Sequence, residues 1–375
     1  MVMMENIQCD SRDAYEARRT LTLAIAAILF ASILVKLGFI WYLDDRAYYD
    51  VLKALNYGCL VHKKIFSIHT DLINSKTFLG PVLWFPLYQS LGMLGLKLFN
   101  LLVFVLLFCT QYALGKGRYS ARAIIIALFL VAFYVGTNRN VAAGEPDDNI
   151  AALLFSLGVL TYLNTKRPFV SSLLMGVGFL FKFWVAIFCV GFVVALRMTK
   201  RWRELWPAGV GMALPFLLIN CIDGFASLHS LLMSEARQRG GHAAWSKVGF
   251  KMLSSGMIIA AVISAWTWLK QRNEHTTLFF FIPVAYVPYV LITKDPYAAS
   301  FVMMLCLVFF SFLIAEFLLH AYDRWVTYWC SSVLIIFFAS YLLLTSGITY
   351  LHLYRDTKPI LLSALCAGVS KENGQ

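Results

Sequence analysis

Two adjacent aspartates, Asp44 and Asp45, come directly after the first long apolar run of the chain, in WYLDDRAYYDVLKALNYG. Carboxylates beside a bilayer-length apolar segment are costly and usually functional. A carboxylate in that position can take the proton of an incoming hydroxyl or ligate a cation. The competing reading is helix capping: residues from Arg46 to Leu55 suit a helix that starts at a membrane surface, and acids in a first turn are stabilised by the macrodipole. A second acidic group, Glu145, Asp147 and Asp148, lies in GEPDDNIAALLFSLG. Pro146 with acids after it is a helix N-terminus signature. Three acids within four positions exceed what capping needs, which leaves at least one for catalysis or a metal.

The third feature is Lys182, alone in the apolar run GVGFLFKFWVAIF. A lone lysine there either snorkels to the interface or pairs with an anion such as a lipid phosphate. Arg139, Lys294 and Arg355 are further candidates for phosphate contact. Lys36 and Lys97, in or at the edge of apolar spans, are expected to snorkel. Trp84, Tyr88, Trp245 and Tyr297 could offer a ring face to a sugar, although interfacial belts account for most aromatics in such a chain. His62, His69, His229 and His242 form no HExxH or HxxxD pattern and read as surface histidines. The sequence holds no Walker A motif, Rossmann glycine fingerprint or GxSxG elbow, which argues against an ATP-driven pump or a nucleotide-sugar site.

These residues need a scaffold, and composition says what kind. The chain is 60% hydrophobic and 14% charged, more apolar surface than one soluble core of this length hides. Continuous apolar runs near 20 residues predict spanning helices rather than barrel strands. Expected spans are 20–42, 96–114, 121–136, 148–164, 169–182, 184–197, 205–221, 251–270, 276–292, 298–320 and 326–346, about eleven in all. Residues 79–94, with Pro81 and Pro86, read as an interfacial or re-entrant helix. Segment 169–197 reads as a hairpin of two short helices with Lys182 at its tip. The first span has no cleavage site after it and is expected to be retained.

Net charge is +12. In this class it implies positive-inside loops and lipid headgroups rather than nucleic acid. Arg12, Arg18 and Arg19, then Lys116, Arg118 and Arg122, then Lys166 and Arg167, then Arg197, Lys200, Arg201 and Arg203, then Lys270 and Arg272 form one consistent cytoplasmic series. The N-terminus is then cytoplasmic, and the loops 43–95, 137–147, 222–250 and 293–297 are outer. The tail 350–375 is assigned to the outer surface. The eight cysteines show neither a disulfide framework nor zinc spacing. The whole of 1–375 reads as one transmembrane domain.

Taken in order, these motifs resemble the GT-C superfamily of integral membrane glycosyltransferases. The carriers are Asp44, Asp45, Tyr48, Leu52 and Gly58 in the first outer loop, GPVLWFPLYQSLG after it, GEPDDNIAALLFSLGVL in the second, the Lys182 hairpin, and KDPYAASFVMML late in the chain. The resemblance covers most of 20–320. It departs at Asp45, where glutamate is commoner, at Phe183, where a small residue is frequent, and in having no large C-terminal outer domain. It points to the mannosyl- or arabinosyltransferase-like branches.

The resemblance implies an all-α GT-C-like bundle with juxtamembrane helices in the first outer loop. It implies transfer of a hexose such as mannose, or of a pentose, from a polyprenyl-phosphate donor to a lipid, glycan or protein hydroxyl, with inversion. Asp44 or Asp45 would be the base. Glu145, Asp147 or Asp148 would assist or bind a divalent metal (Mg or Mn), and Lys182, with Arg139 and Lys294, would hold the donor phosphate. The expected location is the plasma or endoplasmic reticulum membrane, as part of cell-envelope or lumenal glycan chemistry. The alternative is a polytopic secondary transporter or a lipid-linked-sugar flippase, which predicts inverted repeats and acids near the bilayer midplane in interrupted helices; the sequence shows no repeat, and its acids cluster at one surface.

Overall fold

Around an apolar core, the long helices also expose large apolar side chains and bury polar ones. Phe30, Trp41, Trp206, Leu218 and Ile292 are exposed, while Lys36, Asn100, Gln111, Asn138, Asp148 and Asn149 are buried. Helices whose outer solvent is hydrocarbon keep their polar groups inside in this way. The computed structural model describes residues 2–42, 46–48, 79–144, 146–222, 252, 256–293, 303–325, 340 and 357–359.

Along the chain these form α1 (Val2–Tyr42), β1 (Arg46–Tyr48), α2 (Leu79–Gly115), α3 (Ala121–Ala132), α4 (Val135–Ala143), α5 (Pro146–Thr165), α6 (Pro168–Phe181), α7 (Val185–Met198), α8 (Leu205–Ile222), α9 (Met257–Lys270), α10 (Glu274–Val284), α11 (Tyr286–Thr293), α12 (Met303–Trp325) and β2 (Thr357–Pro359). The described residues are thus all-α apart from one short antiparallel strand pair.

Four described helices are long and apolar enough to cross a bilayer: Arg19–Tyr42, Leu83–Gly115, Trp202–Ile222 and Glu274–Ile292. A fifth is reached if α3 and α4 count as one bent span. Pro168–Phe181, Val185–Met198, Met257–Lys270 and Leu305–His320 are shorter apolar helices beside them. A helix occupies most of each expected span from 20–42 to 298–320. Span 326–346 lies almost wholly outside the described residues.

Local sequence accounts for several boundaries. α6 opens on Pro168, where a missing N–H costs nothing. Ser120 caps α3, its side chain accepting from the Ala123 N–H, and Asn273 and Thr276 form a reciprocal capping box on α10. Within α2, Gly92 has φ 67° and ψ −167°, a region that is essentially glycine-only. The helix is kinked there, near the end of the 79–94 stretch.

The expected single span 121–136 is a correction. The helix stops at Ala132 and restarts at Val135, with a bend of 47° between the two halves. No proline or glycine marks the break; side chains satisfy it instead. Lys36 donates to the Ala132 carbonyl at 2.6 Å, to Ser32 Oγ at 2.8 Å and to Asn138 Oδ1 at 2.8 Å. Ser32 adds a bond to the same carbonyl at 3.0 Å. The ammonium sits 3.9 Å from the Phe104 ring centroid. All three donors of Lys36 are used, and a cation at a helix C-terminus complements the macrodipole. Lys36 and Lys97 are both fully buried, so neither snorkels.

α6 packs between α5 and α8, and glycine makes that possible. A Cβ on Gly158 of α5 would lie 2.6 Å from the Ser171 carbonyl oxygen, and one on Gly176 would lie 2.5 Å from that of Met212. A Cβ on Gly211 would meet the Phe169 carbonyl oxygen at 2.6 Å. Small residues that let backbones touch are how helices associate where lipid removes the hydrophobic drive.

The basic loops gather at one end of the bundle. Lys166 lies 2.5 Å from Glu274, and Arg201 bridges Glu204 at 2.8 Å and Glu274 at 3.2 Å. Arg118 donates to Asn164 at 2.6 Å, and Tyr162 donates to Glu204 at 2.6 Å. The hydrogen bond to Glu204 pushes the Arg201 pKa further above its ordinary value. Nearby, Tyr119 stacks on Phe279 and Phe312. The solvent-facing ion pairs among these add little stability each, but the set fixes four connecting loops on one side.

The glycine packing gives a contrast within one helix. Gly211→Ala should cost about 1–3 kcal/mol through overpacking. Gly209→Ala, with nothing within 4 Å of its Cβ, should be neutral or gain up to about 1 kcal/mol in helix propensity. Thermal unfolding of the two variants in one detergent checks this, and equal effects would contradict the close approach.

Candidate functional site

At the end opposite the basic loops, the acids that open α5 meet the lysine at the α6–α7 break. The 20 residues of α5 put that end about 30 Å from Thr165. Asp147 and Asp148 lie in the first turn of α5, where the N-terminal dipole favours them. Their side chains do more than cap. Asp148 Oδ1 lies 3.0 Å from Lys182 Nζ, and Asp148 Oδ2 accepts from Asn140 Nδ2 at 3.3 Å. Asp147 Oδ1 accepts from Trp84 Nε1 at 2.5 Å. Asp147 and Asp148 are each 1% exposed and Lys182 is 4% exposed, so the group is desolvated.

Lys182 reaches this position because α6 ends on it. Its backbone is extended, with φ −147° and ψ 118°, and α7 starts only at Val185. This is the tip of the expected hairpin. The Lys182 ammonium also lies 4.8 Å from the Trp184 ring centroid, a favourable cation–π distance. Gly80 makes room on the other side: a Cβ there would come within 2.6 Å of Asp147 Oδ1 and 3.2 Å of Trp84 Nε1.

Of the other expected site residues, Trp84 is buried, its ring 5.5 Å from that of Phe99 and 6.0 Å from that of Phe181. It presents its N–H to Asp147 from that packing. Tyr88 is partly buried against the apolar core. Arg139 is buried on α4, one residue before Asn140. Asp44, Asp45, Glu145, Lys294 and Tyr297 lie outside the described residues, as do Arg355 and Trp245.

The residues that follow Asp45 in the chain, Arg46–Tyr48, are described. The juxtamembrane helix expected from Arg46 is a correction: Arg46–Tyr48 is a strand, paired antiparallel with Thr357–Pro359. Local propensity could not reveal a partner contributed by the far end of the chain. The correction bears on Asp44 and Asp45, because their capping explanation required a helix beginning at Arg46. β1 also packs against α4, and α4 carries the Asn140 that holds Asp148. The residue next to Asp45 and the Asp148–Lys182 pair are thus tied to one short helix.

Sequence reasoning missed the amides. Asn149 donates to Asn100 Oδ1 at 2.6 Å, and Asn100 donates to the Asn140 carbonyl at 2.8 Å. Together they hold α2, α4 and α5 in register beneath the carboxylates. The available signal was the presence of amides inside apolar spans, where each polar group needs a partner.

The geometry also bears on a metal. Among the described residues no three His, Cys, Asp or Glu side chains converge. The positive charge at Asp148 is already supplied by Lys182, and a divalent ion on the same carboxylate would face that ammonium. The described acids therefore fit an ammonium–carboxylate pair, not a metal centre.

Removing one partner of this pair leaves a buried charge uncompensated. Lys182→Met or Asp148→Leu alone should cost about 3–5 kcal/mol, and the double variant much less than their sum. Unfolding in detergent measures the cycle; additive losses would mean that the pair is not coupled. A search with protein-family models finds none that matches the chain, and a search of curated proteins finds no significant relative.

Proposed function

We propose that the chain is an integral membrane glycosyltransferase of the GT-C type. It moves a hexose such as mannose, or a pentose, from a polyprenyl-phosphate donor to a hydroxyl on a lipid, glycan or protein acceptor. The observation that carries this reading is the buried pairing of Asp148, opening α5, with Lys182 at the α6–α7 break, held by Asn140 of α4, the helix against which Arg46–Tyr48 also packs. In the proposed topology the N-terminus and the basic loops are cytoplasmic, about eleven spans cross the plasma or endoplasmic reticulum membrane, and this acidic end faces outward or into the lumen.

The chemistry suits the residue types. Asp44 or Asp45 takes the proton of the acceptor hydroxyl as its oxygen attacks the anomeric carbon. The bond from that carbon to the phosphate oxygen breaks, and the sugar inverts in a single displacement through an oxocarbenium-like transition state. The departing prenyl phosphate gains negative charge, and Lys182 answers it. A lysine has three donors, so one ammonium can hold Asp148 and a phosphate oxygen together. Asp148 holds the ammonium in place between turnovers. Asp147, held by Trp84, flanks it.

A second reading, a transporter or lipid-linked-sugar flippase, is favoured by one observation. The α3–α4 span is interrupted and bent by 47°, with the buried Lys36 at the interruption, and discontinuous helices mark transporter binding sites.

Purified protein in nanodiscs, offered radiolabelled polyprenyl-phosphate sugars and membrane-extract acceptors, separates the two. Transfer is expected, with Asp44→Asn or Asp45→Asn reducing turnover by about 10²–10⁴-fold and Lys182→Met reducing it further than it weakens donor binding. An EDTA arm reads metal dependence. Donor crossing the bilayer of a proteoliposome with no sugar transferred would sink the enzyme reading.

A further inference from the structure

A cavity of about 490 Å³ opens at the basic end, where α1 packs on α2 and α3. Leu21 and Thr22 of α1, Tyr112 of α2, Lys116 and Tyr119 of the connecting loop, and Ile124 of α3 line it. Its size falls within the range of about 300–1,000 Å³ usual for ligand sites. The bilayer-length helices Arg19–Tyr42 and Leu83–Gly115 both end beside it. The cavity therefore lies at the depth of the lipid headgroups.

Its chemistry favours an anion. No carboxylate is among the lining residues. At this end Lys166 and Arg201 are paired with Glu274 and Glu204, and Arg118 is bonded to Asn164. Lys116 differs: it is exposed, and its ammonium has no partner among the described residues. Arg19, one turn before Thr22, and Arg122, next to Ala121, are exposed beside it. α3 begins at Ala121, which also lines the cavity, and the first turn of a helix offers N–H donors and the positive end of the dipole. Tyr119 has a buried hydroxyl with no hydrogen-bond partner among the described residues. Such a group is uncommon in a native structure and fits a cavity that takes a polar ligand.

The surface leading away from the cavity is apolar. Leu98, Leu102 and Leu106 of α2 are exposed in a row at spacings of four. Spacings of three and four continue that row through the exposed Cys109 and through Tyr112 to Lys116. Leu23 is exposed on α1 beside Thr22. One cationic recess thus stands at the end of a greasy strip of bilayer length, which is the shape of a phospholipid rather than of a soluble anion.

We propose that this cavity holds the headgroup of an anionic phospholipid from the leaflet at the basic end, with an acyl chain along the Leu98–Leu106 row. The phosphate meets Lys116 and the first turn of α3. Basic recesses between spanning helices bind acidic headgroups in this way. Such a site is independent of the acidic end and of the glycosyltransferase reading.

Native mass spectrometry of the full-length protein tests it. The protein in detergent is offered equal amounts of phosphatidylglycerol and phosphatidylcholine of one chain length, and retained lipid is counted. Wild type should keep one phosphatidylglycerol in at least about fivefold excess over phosphatidylcholine, and Lys116→Gln should remove about fivefold of that preference. Arg203→Gln, which removes one exposed charge from the same end outside the cavity, should leave it unchanged. Thr22→Trp, which fills the recess and keeps the net charge, should lower retention as Lys116→Gln does. No preference in wild type, or equal losses from Lys116→Gln and Arg203→Gln, overturns the site in favour of diffuse surface charge. Inorganic phosphate in excess should leave the lipid bound; its displacement would make this a soluble-anion site and overturn the lipid assignment.

Discussion

Taking an ammonium and a carboxylate out of water costs several kcal/mol for each ion, and their attraction offsets this only with good geometry and further hydrogen bonds. The pairing of Lys182 with Asp148 meets those conditions, with 3.0 Å between them, Asn140 on the second carboxylate oxygen and the Trp184 ring beside the ammonium. Much of the acidic end is arranged around it. α6 must stop at Lys182, α5 must begin where Asp148 can face that stop, and α4 must bring Asn140 to the second oxygen of Asp148. The glycines along α5, α6 and α8 let the three backbones approach closely.

The bundle is electrostatically polarised along its axis. At one end, loops rich in lysine and arginine share Glu204 and Glu274. At the other, carboxylates are buried against a lysine, an amide and an indole. α5 connects the two directly, running from Asp147 and Asp148 to the neighbourhood of Lys166. Basic residues left in water at one end and acids desolvated at the other suit a protein whose two faces meet different compartments.

Much of this was legible in the sequence because the bilayer imposes simple rules. Apolar runs located most of the helices, Pro146 marked one start, and the lone Lys182 marked the α6–α7 tip. What escaped was set by tertiary partners. Phe133 and Tyr134 look like ordinary span residues, and only Lys36 and Ser32 from another helix make a break there stable. Arg46–Tyr48 reads as helix until Thr357–Pro359 is beside it. The buried amides Asn100, Asn140 and Asn149 carry no spacing signature, since they meet across three helices. Asp147 and Asp148 were legible as acids opening a helix, but their partners Trp84 and Asn140 were not.

The broken α3–α4 span bears on how the protein enters the bilayer. α3 has 12 residues and α4 has 9, about 18 Å and 13 Å at 1.5 Å per residue, against a hydrocarbon thickness of about 30 Å. Neither half can be stable there by itself, and the carbonyls exposed between them would have no partner in lipid. Their partner is Lys36, which is synthesised about a hundred residues earlier and lies in a span long enough to stand alone. Biogenesis is therefore ordered: α1 must already be resident and close by when α3 and α4 leave the insertion machinery. A delay in that encounter would leave the interrupted segment, not the long helices, as the point where membrane integration fails.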